Sequence, residues 1–207
     1  MTKPTLYHCN DARSFRCVWT AAAVGLDYTL ETMAFPPRFH VPAYKQINPL
    51  GTIPCWVDGD LNMTESAAIC QIMARGTALE VTPDEADYPA YLNWLHRSDA
   101  TLTFPLAIML RYSVFPKPED RKPEIAEDYK LFFLGRARSI EAGLADGRQW
   151  LVGGRFTIAD ICIGYAVMLA GTLGLHSELG EATLAWWARL TEGESFKAAK
   201  ARQAASP

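Results

Sequence analysis

Asn48-Pro49-Leu50-Gly51-Thr52-Ile53-Pro54-Cys55-Trp56-Val57-Asp58-Gly59-Asp60-Leu61-Asn62-Met63-Thr64-Glu65-Ser66-Ala67-Ala68-Ile69 is the stretch on which the fold turns. Two short runs, Ile53–Val57 and Asp60–Met63, flank Asp58-Gly59 and read as a β-hairpin. Thr64-Glu65-Ser66 closes the hairpin and opens a helix through Ala67, Ile69, Cys70, Ile72 and Met73. Upstream, Thr5-Leu6-Tyr7 is a short strand. From Ser14 onward Phe15, Val18, Trp19, Ala22 and Ala23 recur at helical spacing, and Gly25 sits where a C-cap ends the helix. Tyr28–Met33 is a second strand, Phe35–Pro42 a loop and Ala43–Ile47 a short helical turn. The order is β-α-β, a loop, then ββ-α. That alternation implies a sheet with helices packed on it.

The rest of the chain reads differently. Thr77–Asp87 has no periodicity, carries Pro83 with several acids, and reads as a linker between a domain at 1–76 and one at 88–207. Beyond it Pro89 suits a first helical turn, followed by Tyr91, Trp94, Leu95, Leu102 and Leu106. Pro105 is expected to kink or end that helix. Pro116–Pro123 is a connection. Ile125, Tyr129, Phe132, Phe133, Ile140 and Leu144 mark the next helix, which stops near Gly147. Two more are expected at Thr157–Leu175 and Ala182–Thr191. The apolar run Ile161–Leu175 contains three glycines and is shorter than a membrane span, so it reads as a buried helix.

Composition narrows the function classes. Twenty basic against 23 acidic residues give a net charge of -3, with no basic excess to neutralise phosphates, so no nucleic-acid partner is expected. No membrane association is expected either. The N-terminal residues have no signal-peptide shape. The five cysteines, Cys9, Cys17, Cys55, Cys70 and Cys162, form no C-x-x-C pair and no zinc spacing. The expectation is reduced thiols in a cytoplasm, and no metal.

Three motifs, Asn48–Pro54, Thr64–Ile69 and Phe156-Thr157-Ile158-Ala159-Asp160-Ile161, taken with this layout resemble the glutathione transferase superfamily, of the cytosolic and bacterial-like kind, over nearly the whole chain. The resemblance implies a thioredoxin-like domain followed by an all-helical one, and glutathione as co-substrate. It also implies a small hydrophobic electrophile as second substrate and a homodimer. Ile53-Pro54 resembles the family's cis-proline site, which leaves the Ile53 backbone open to pair with the cysteinyl part of glutathione as a short added strand. Thr52 belongs to the same turn. Ser66 is expected to cap its helix while holding the γ-glutamyl carboxylate, with Glu65 on the ammonium. His40 and Lys45 are candidates for the glycyl carboxylate. Thr157-x-x-Asp160 is a capping box, with Phe156 and Ile161 as its hydrophobic staple, and reads as structural.

Catalysis requires a stabilised glutathione thiolate, because a free thiol titrates near 8.5. Tyr7 stands where tyrosine-type members carry theirs, Ser14 at a helix start, and Arg13 supplies a cation. Cys9 is the runner-up, as the nucleophile of a thiol-exchange enzyme. The serine of several classes falls near Asp11 or Ala12, neither of which has a hydroxyl. His96, Arg97 and Asp99 are candidates for the cleft, and Trp94, Met109, Tyr112 and Phe115 for a second-substrate pocket. The leading function is a transferase. The alternatives are a glutathione-dependent isomerase or reductase, or a non-catalytic binding module on the same fold.

Overall fold

The computed structural model describes residues 3–205. It divides into two compact units, Met1–Glu80 with Thr191–Pro207 (of which 3–80 and 191–205 are described), and Val81–Leu190. In the first unit a four-stranded sheet has the order β2-β1-β3-β4, built from β1 (Thr5–His8), β2 (Thr29–Thr32), β3 (Cys55–Asp58) and β4 (Leu61–Met63). β1 runs parallel to β2 and antiparallel to β3, and β3 and β4 are the expected hairpin around Asp58-Gly59. The parallel pair needs a crossover, which α1 (Phe15–Val24) provides. Phe15, Val18 and Trp19 of α1 are fully buried, and the helix packs on α3 (Ser66–Ala74). Gly25 ends α1 in the left-handed conformation at φ 65°, as its position after the last periodic residue suggested.

Two elements of this unit escape a reading by periodicity. The segment read as loop contains a short helix, α2 (Pro37–His40), entered through a cis Phe35–Pro36 bond and followed by a 3-10 turn at Pro42–Gln46. Four residues are too few to display a 3.6-residue period. The second is the last helix, α9 (Glu194–Ala204), whose polar sequence carries no apolar stripe. Alanine and lysine favour a helix there, and only Phe196, Ala199 and Gln203 are buried. Although it lies far along the chain, beyond the expected linker, α9 packs on α1 within the first unit.

The second unit is helical: α4 (Tyr88–Arg97), α5 (Phe104–Ser113), α6 (Pro123–Leu144), α7 (Ile158–Thr172) and α8 (Glu181–Glu192). Pro105 neither ends nor sharply breaks the first of these. Instead a π-helical stretch, Ser98–Thr103, joins α4 to α5, and Pro105 falls in the first turn of α5, where its missing N–H costs little. Ser98 and Thr103 donate to the carbonyls of Leu95 (2.6 Å) and Ser98 (2.7 Å) in that stretch. α7 is buried along Ile158–Ala170, the core helix that its unbroken apolar run implied. Its capping box is present: Thr157 accepts from the Ala159 N–H, and Asp160 accepts from the Thr157 N–H at 3.0 Å. Phe156 stacks on Trp150, ring centroids 5.3 Å apart. No described helix is long and apolar enough to cross a membrane.

Candidate functional site

The sheet topology brings three segments of the first unit together. β1 pairs with β3 at Tyr7 and Cys55, so continuing that antiparallel register sets Cys9 opposite Ile53. The loop after β1 therefore runs beside the turn that enters β3. α1 in turn carries its first residues to the start of α3, where Arg16 Nη1 donates to Ser66 Oγ at 2.9 Å.

The turn before β3 is held by its own motif. The Ile53–Pro54 bond is cis. The Thr52 carbonyl accepts from the Tyr44 hydroxyl at 2.7 Å and from Asn48 Nδ2 at 2.8 Å, while Asn48 Oδ1 accepts from the Leu50 N–H at 3.1 Å. Asn48 is buried, which explains why the motif begins with a short amide side chain. Gly51 has φ +60°, and a Cβ there would lie 2.8 Å from Arg38 Cβ, so both backbone and space demand glycine. With Thr52 bound on the inner side, the Ile53 N–H and C=O make no hydrogen bond to other described residues. They are the open edge that an extended ligand can pair with.

At α3, Ser66 is not the cap that its sequence context suggested. Glu65 occupies that position, with extended backbone (φ -88°, ψ 115°) and no capping bond from its side chain, and Ser66 is the first helical residue. The reason is Arg16. Its guanidinium is fully buried and donates to Ser66 Oγ, so the hydroxyl spends a lone pair inward and keeps its proton for an outside acceptor. A buried cation thus lies beside a helix N-terminus, and both favour negative charge there. Arg16 was legible in the sequence only as a charge inside an apolar helical face. Glu65, solvent-exposed beside it, supplies the opposite charge.

The third segment reorders the candidates for sulfur chemistry. Tyr7 packs against Tyr44 with ring centroids 5.4 Å apart; burial raises its phenol, and Glu31 and Cys55 push the same way, so it stays protonated. Cys9 is buried and its thiol is pushed up to about 12 by desolvation, which suppresses the thiolate that an exchange enzyme needs. Ser14 is fully buried, and its hydroxyl faces His8 Nδ1 at 2.8 Å and the Cys9 N–H at 3.3 Å. It precedes α1 in helical conformation and makes no capping bond. Arg13, half-buried, stands one residue before it. Of the residues considered for a glycyl carboxylate, exposed Lys45 reaches the turn, its Cε 3.7 Å from the position of a Gly51 Cβ. His40 ends α2, exposed. Arg38, against the same glycine, is a further cation that the sequence reading passed over.

His8 has a consequence for acid stability. Burial lowers its imidazole from 6.5 to about 4, overcoming the opposing effects of the Gln203 bond and the Asp11 charge. The unfolded chain therefore takes up this proton first. The contribution is complete above pH 6.5 and is lost as pH falls toward 4, up to about 3 kcal/mol. Urea unfolding of wild type and His8→Gln across this window should show a difference that shrinks toward pH 4. A pH-independent difference would contradict it.

The candidates of the second unit lie apart from these three segments in sequence. His96 and Arg97 line a groove of about 470 Å³ with Thr101 and Arg136, and Arg97 stacks over Trp94 at 4.6 Å. Asp99 lies in the π-helical stretch. Trp94 is core, packed against Gly143; Met109 and Tyr112 are half-buried, and Phe115 is exposed.

Comparison with known proteins places this geometry. Residues 3–75 match the family model of the glutathione S-transferase N-terminal domain. Glutathione S-transferase 3 of Schizosaccharomyces pombe is 32% identical over 100 residues, covering 47% of this chain and only 41% of that protein. A probable glutathione S-transferase of Oryza sativa subsp. japonica is 27% identical over 84% of this chain and 85% of its own. Among solved structures, a glutathione transferase of Methylococcus capsulatus superposes with a TM-score of 0.86 at 20% identity, covering 97% of this chain and 98% of that one. Ure2p5 of Phanerochaete chrysosporium, crystallised with 1-(S-glutathionyl)-2,4-dinitrobenzene, gives 0.83 at 22%, covering 99% and 96%. The nitrogen regulation fragment of the yeast prion protein Ure2p gives 0.82 at 21%, covering 96% of each. At these identities the structures establish the fold.

Proposed function

We propose that this chain, which belongs to the cytosolic glutathione transferase superfamily, binds glutathione along its cis-proline turn and α3, and transfers it to a hydrophobic electrophile. The observation that carries the reading is the open Ile53 backbone next to a helix start whose Ser66 hydroxyl is turned outward by buried Arg16. The cysteinyl part of glutathione pairs with Ile53. The γ-glutamyl carboxylate takes the Ser66 hydroxyl and the first N–H groups of α3, and its ammonium meets Glu65. Lys45 and His40, with Thr52 at the turn, face the glycyl end.

The sulfur then lies toward the loop after β1. There the start of α1 and the Arg13 cation hold it as a thiolate, with Tyr7 behind. Ser14 acts through the loop and not by touching sulfur, because its hydroxyl is fully buried between His8 Nδ1 (2.8 Å) and the Cys9 carbonyl (3.4 Å). In the reaction the thiol proton leaves to solvent, sulfur forms a bond to the electrophilic carbon, and the leaving group departs with its electron pair. Positioning and charge stabilisation supply the rate. The protein works as a cytosolic homodimer.

Calorimetry with reduced glutathione tests the reading. We expect a Kd in the micromolar-to-millimolar range, about -8 to -4 kcal/mol. With 1-chloro-2,4-dinitrobenzene the dinitrophenyl conjugate should accumulate. With an isomerisable substrate, product formed while glutathione is regenerated would mean isomerisation, and with a reducible one, oxidised glutathione would mean reduction; no adduct with the aryl chloride would mean only that it is no substrate. The missing hydroxyl at Asp11 and Ala12 and the inward-facing Ser14 favour a binding module as second reading. No detectable glutathione binding by the wild type would sink the transferase and leave that reading.

A further inference from the structure

The last helix sends a single buried amide into the loop beside the sulfur position. Gln203 Oε1 accepts from His8 Nε2 at 3.1 Å and from the Asp11 N–H at 3.2 Å, and its Nε2 donates to Asp11 Oδ1 at 2.7 Å. Lys200 donates to the same carboxylate oxygen at 2.6 Å. These bonds admit one assignment of protons. A carboxylate only accepts, so the amide NH₂ faces Asp11, and the amide oxygen must then face His8, whose Nε2 carries the hydrogen. Nδ1 is left bare and accepts the Ser14 proton, while Ser14 Oγ accepts the Cys9 N–H. The relay runs Ser14 to His8 to Gln203 to Asp11 without a break. It closes on both ends of the loop that separates β1 from α1.

Docking the helix does not require this. α9 is already anchored by Phe196, whose ring meets Phe15 at 5.7 Å and Trp19 at 4.9 Å, and by the Trp19 indole N–H on Ser195 Oγ at 3.2 Å. A leucine at 203 would bury as well. What the amide adds is local. Asp11 is the one described residue other than glycine with a positive φ (54°), a conformation that has to be held, and Gln203 grips both its main chain and its side chain.

We propose that Gln203 is a positioning residue for glutathione activation: through His8 and Asp11 it holds the Cys9–Arg13 loop in the geometry that keeps the bound sulfur ionised. The C-terminal helix is thereby part of the thiol subsite. The inference rests on the glutathione reading above. Ile53, Glu65 and Ser66, which bind the peptide, lie outside the relay. Gln203 therefore governs thiolate formation and leaves affinity for the thiol form nearly untouched.

The test is Gln203→Leu in the full chain, with two readouts. Glutathione Kd is measured by calorimetry, and the apparent pKa of the bound thiol by ultraviolet thiolate absorbance against pH. At a pH below the wild-type bound-thiol pKa, where glutathione binds as the thiol, we expect Kd within about twofold of wild type and kcat lowered about tenfold with KM unchanged, while the bound-thiol pKa itself rises by about one unit. An unchanged thiol pKa overturns the proposal. Loss of affinity at a pH below the wild-type bound-thiol pKa, where no thiolate is bound, overturns it too, since Gln203 would then only prop the whole site. If Gln203→Leu does not fold, exchange of donor and acceptor decides. Gln203→Glu and Asp11→Asn each impair thiolate formation, and the double variant, with the amide now on residue 11, restores it. Failure to restore overturns the proposal. A wild type that does not bind glutathione brings down the functional reading first, and this inference with it.

Discussion

Asp160→Ala lowers the stability of the chain by about 4 kcal/mol, roughly 10 °C in Tm for a chain of this length. The side chain is fully buried and accepts four bonds. The Leu151 N–H and Trp186 Nε1 lie 3.0 Å from Oδ1, and the Thr157 N–H (3.0 Å) and hydroxyl (3.3 Å) lie beside Oδ2. It ties the start of α7, the segment before it and α8 to one point. Truncation leaves those donors facing a dry cavity, and each unsatisfied donor costs far more than the bond itself was worth. Asp160→Asn separates charge from shape. It fills the same volume but sets an NH₂ against donors on one side, so it should destabilise as well. An asparagine variant that melts like wild type would refute the four-donor account. Burial also raises this carboxyl from 3.8 to about 6. The native state thus takes up the proton first, and the contribution of Asp160 grows as pH falls from 7 toward 4, the opposite sense to His8. Each effect must be read as a difference between wild type and its own variant.

Ser66→Ala weakens glutathione binding by roughly tenfold to a hundredfold, the 1.5–3 kcal/mol of a hydrogen bond to a charged group. The loss is large because Arg16 has already fixed the hydroxyl: Oγ receives the guanidinium inward, and the proton points to the ligand carboxylate at no rotational cost. Arg16→Met tests the same arrangement from beneath. It retains the buried alkyl stem and removes the cation, and glutathione affinity should fall by a comparable factor while α1 keeps its packing. If Ser66→Ala binds as tightly as wild type, the carboxylate is held elsewhere and the α3 assignment fails. Both variants are read by the calorimetry that tests the wild type.

Much of the first unit was legible in the sequence because its signals are local. Asp58-Gly59 between two short runs specifies a hairpin by backbone sterics, and Gly25 and Gly51 mark left-handed positions that side chains avoid. Thr157 and Asp160 are three residues apart and find each other on any helix. The helix start at Glu65-Ser66 belongs to this class, whereas the cis turn at Ile53-Pro54 is read from the resemblance of the whole motif set. By contrast α9 lacks an apolar stripe, and its partner α1 lies far away in the chain.

The chemistry of the site divides along the same line. By itself the sequence determined that a proline turn, a hairpin and a helix start follow one another in order, because the hairpin and the helix start are enforced within a few residues by allowed backbone angles and free N–H groups; the cis form of Ile53–Pro54 comes from the family resemblance, since an X-Pro bond is trans by local preference. Tertiary structure alone decided what the polar side chains do there. Ser14 reads as a helix-start hydroxyl available to sulfur, yet it is sealed in the core, bonded to His8 and the Cys9 backbone. Arg16 and Gln203 reach Ser66, His8 and Asp11 across 50, 195 and 192 residues of chain. A buried donor or acceptor must find a partner wherever packing brings one, and no local pattern encodes which distant residue that is.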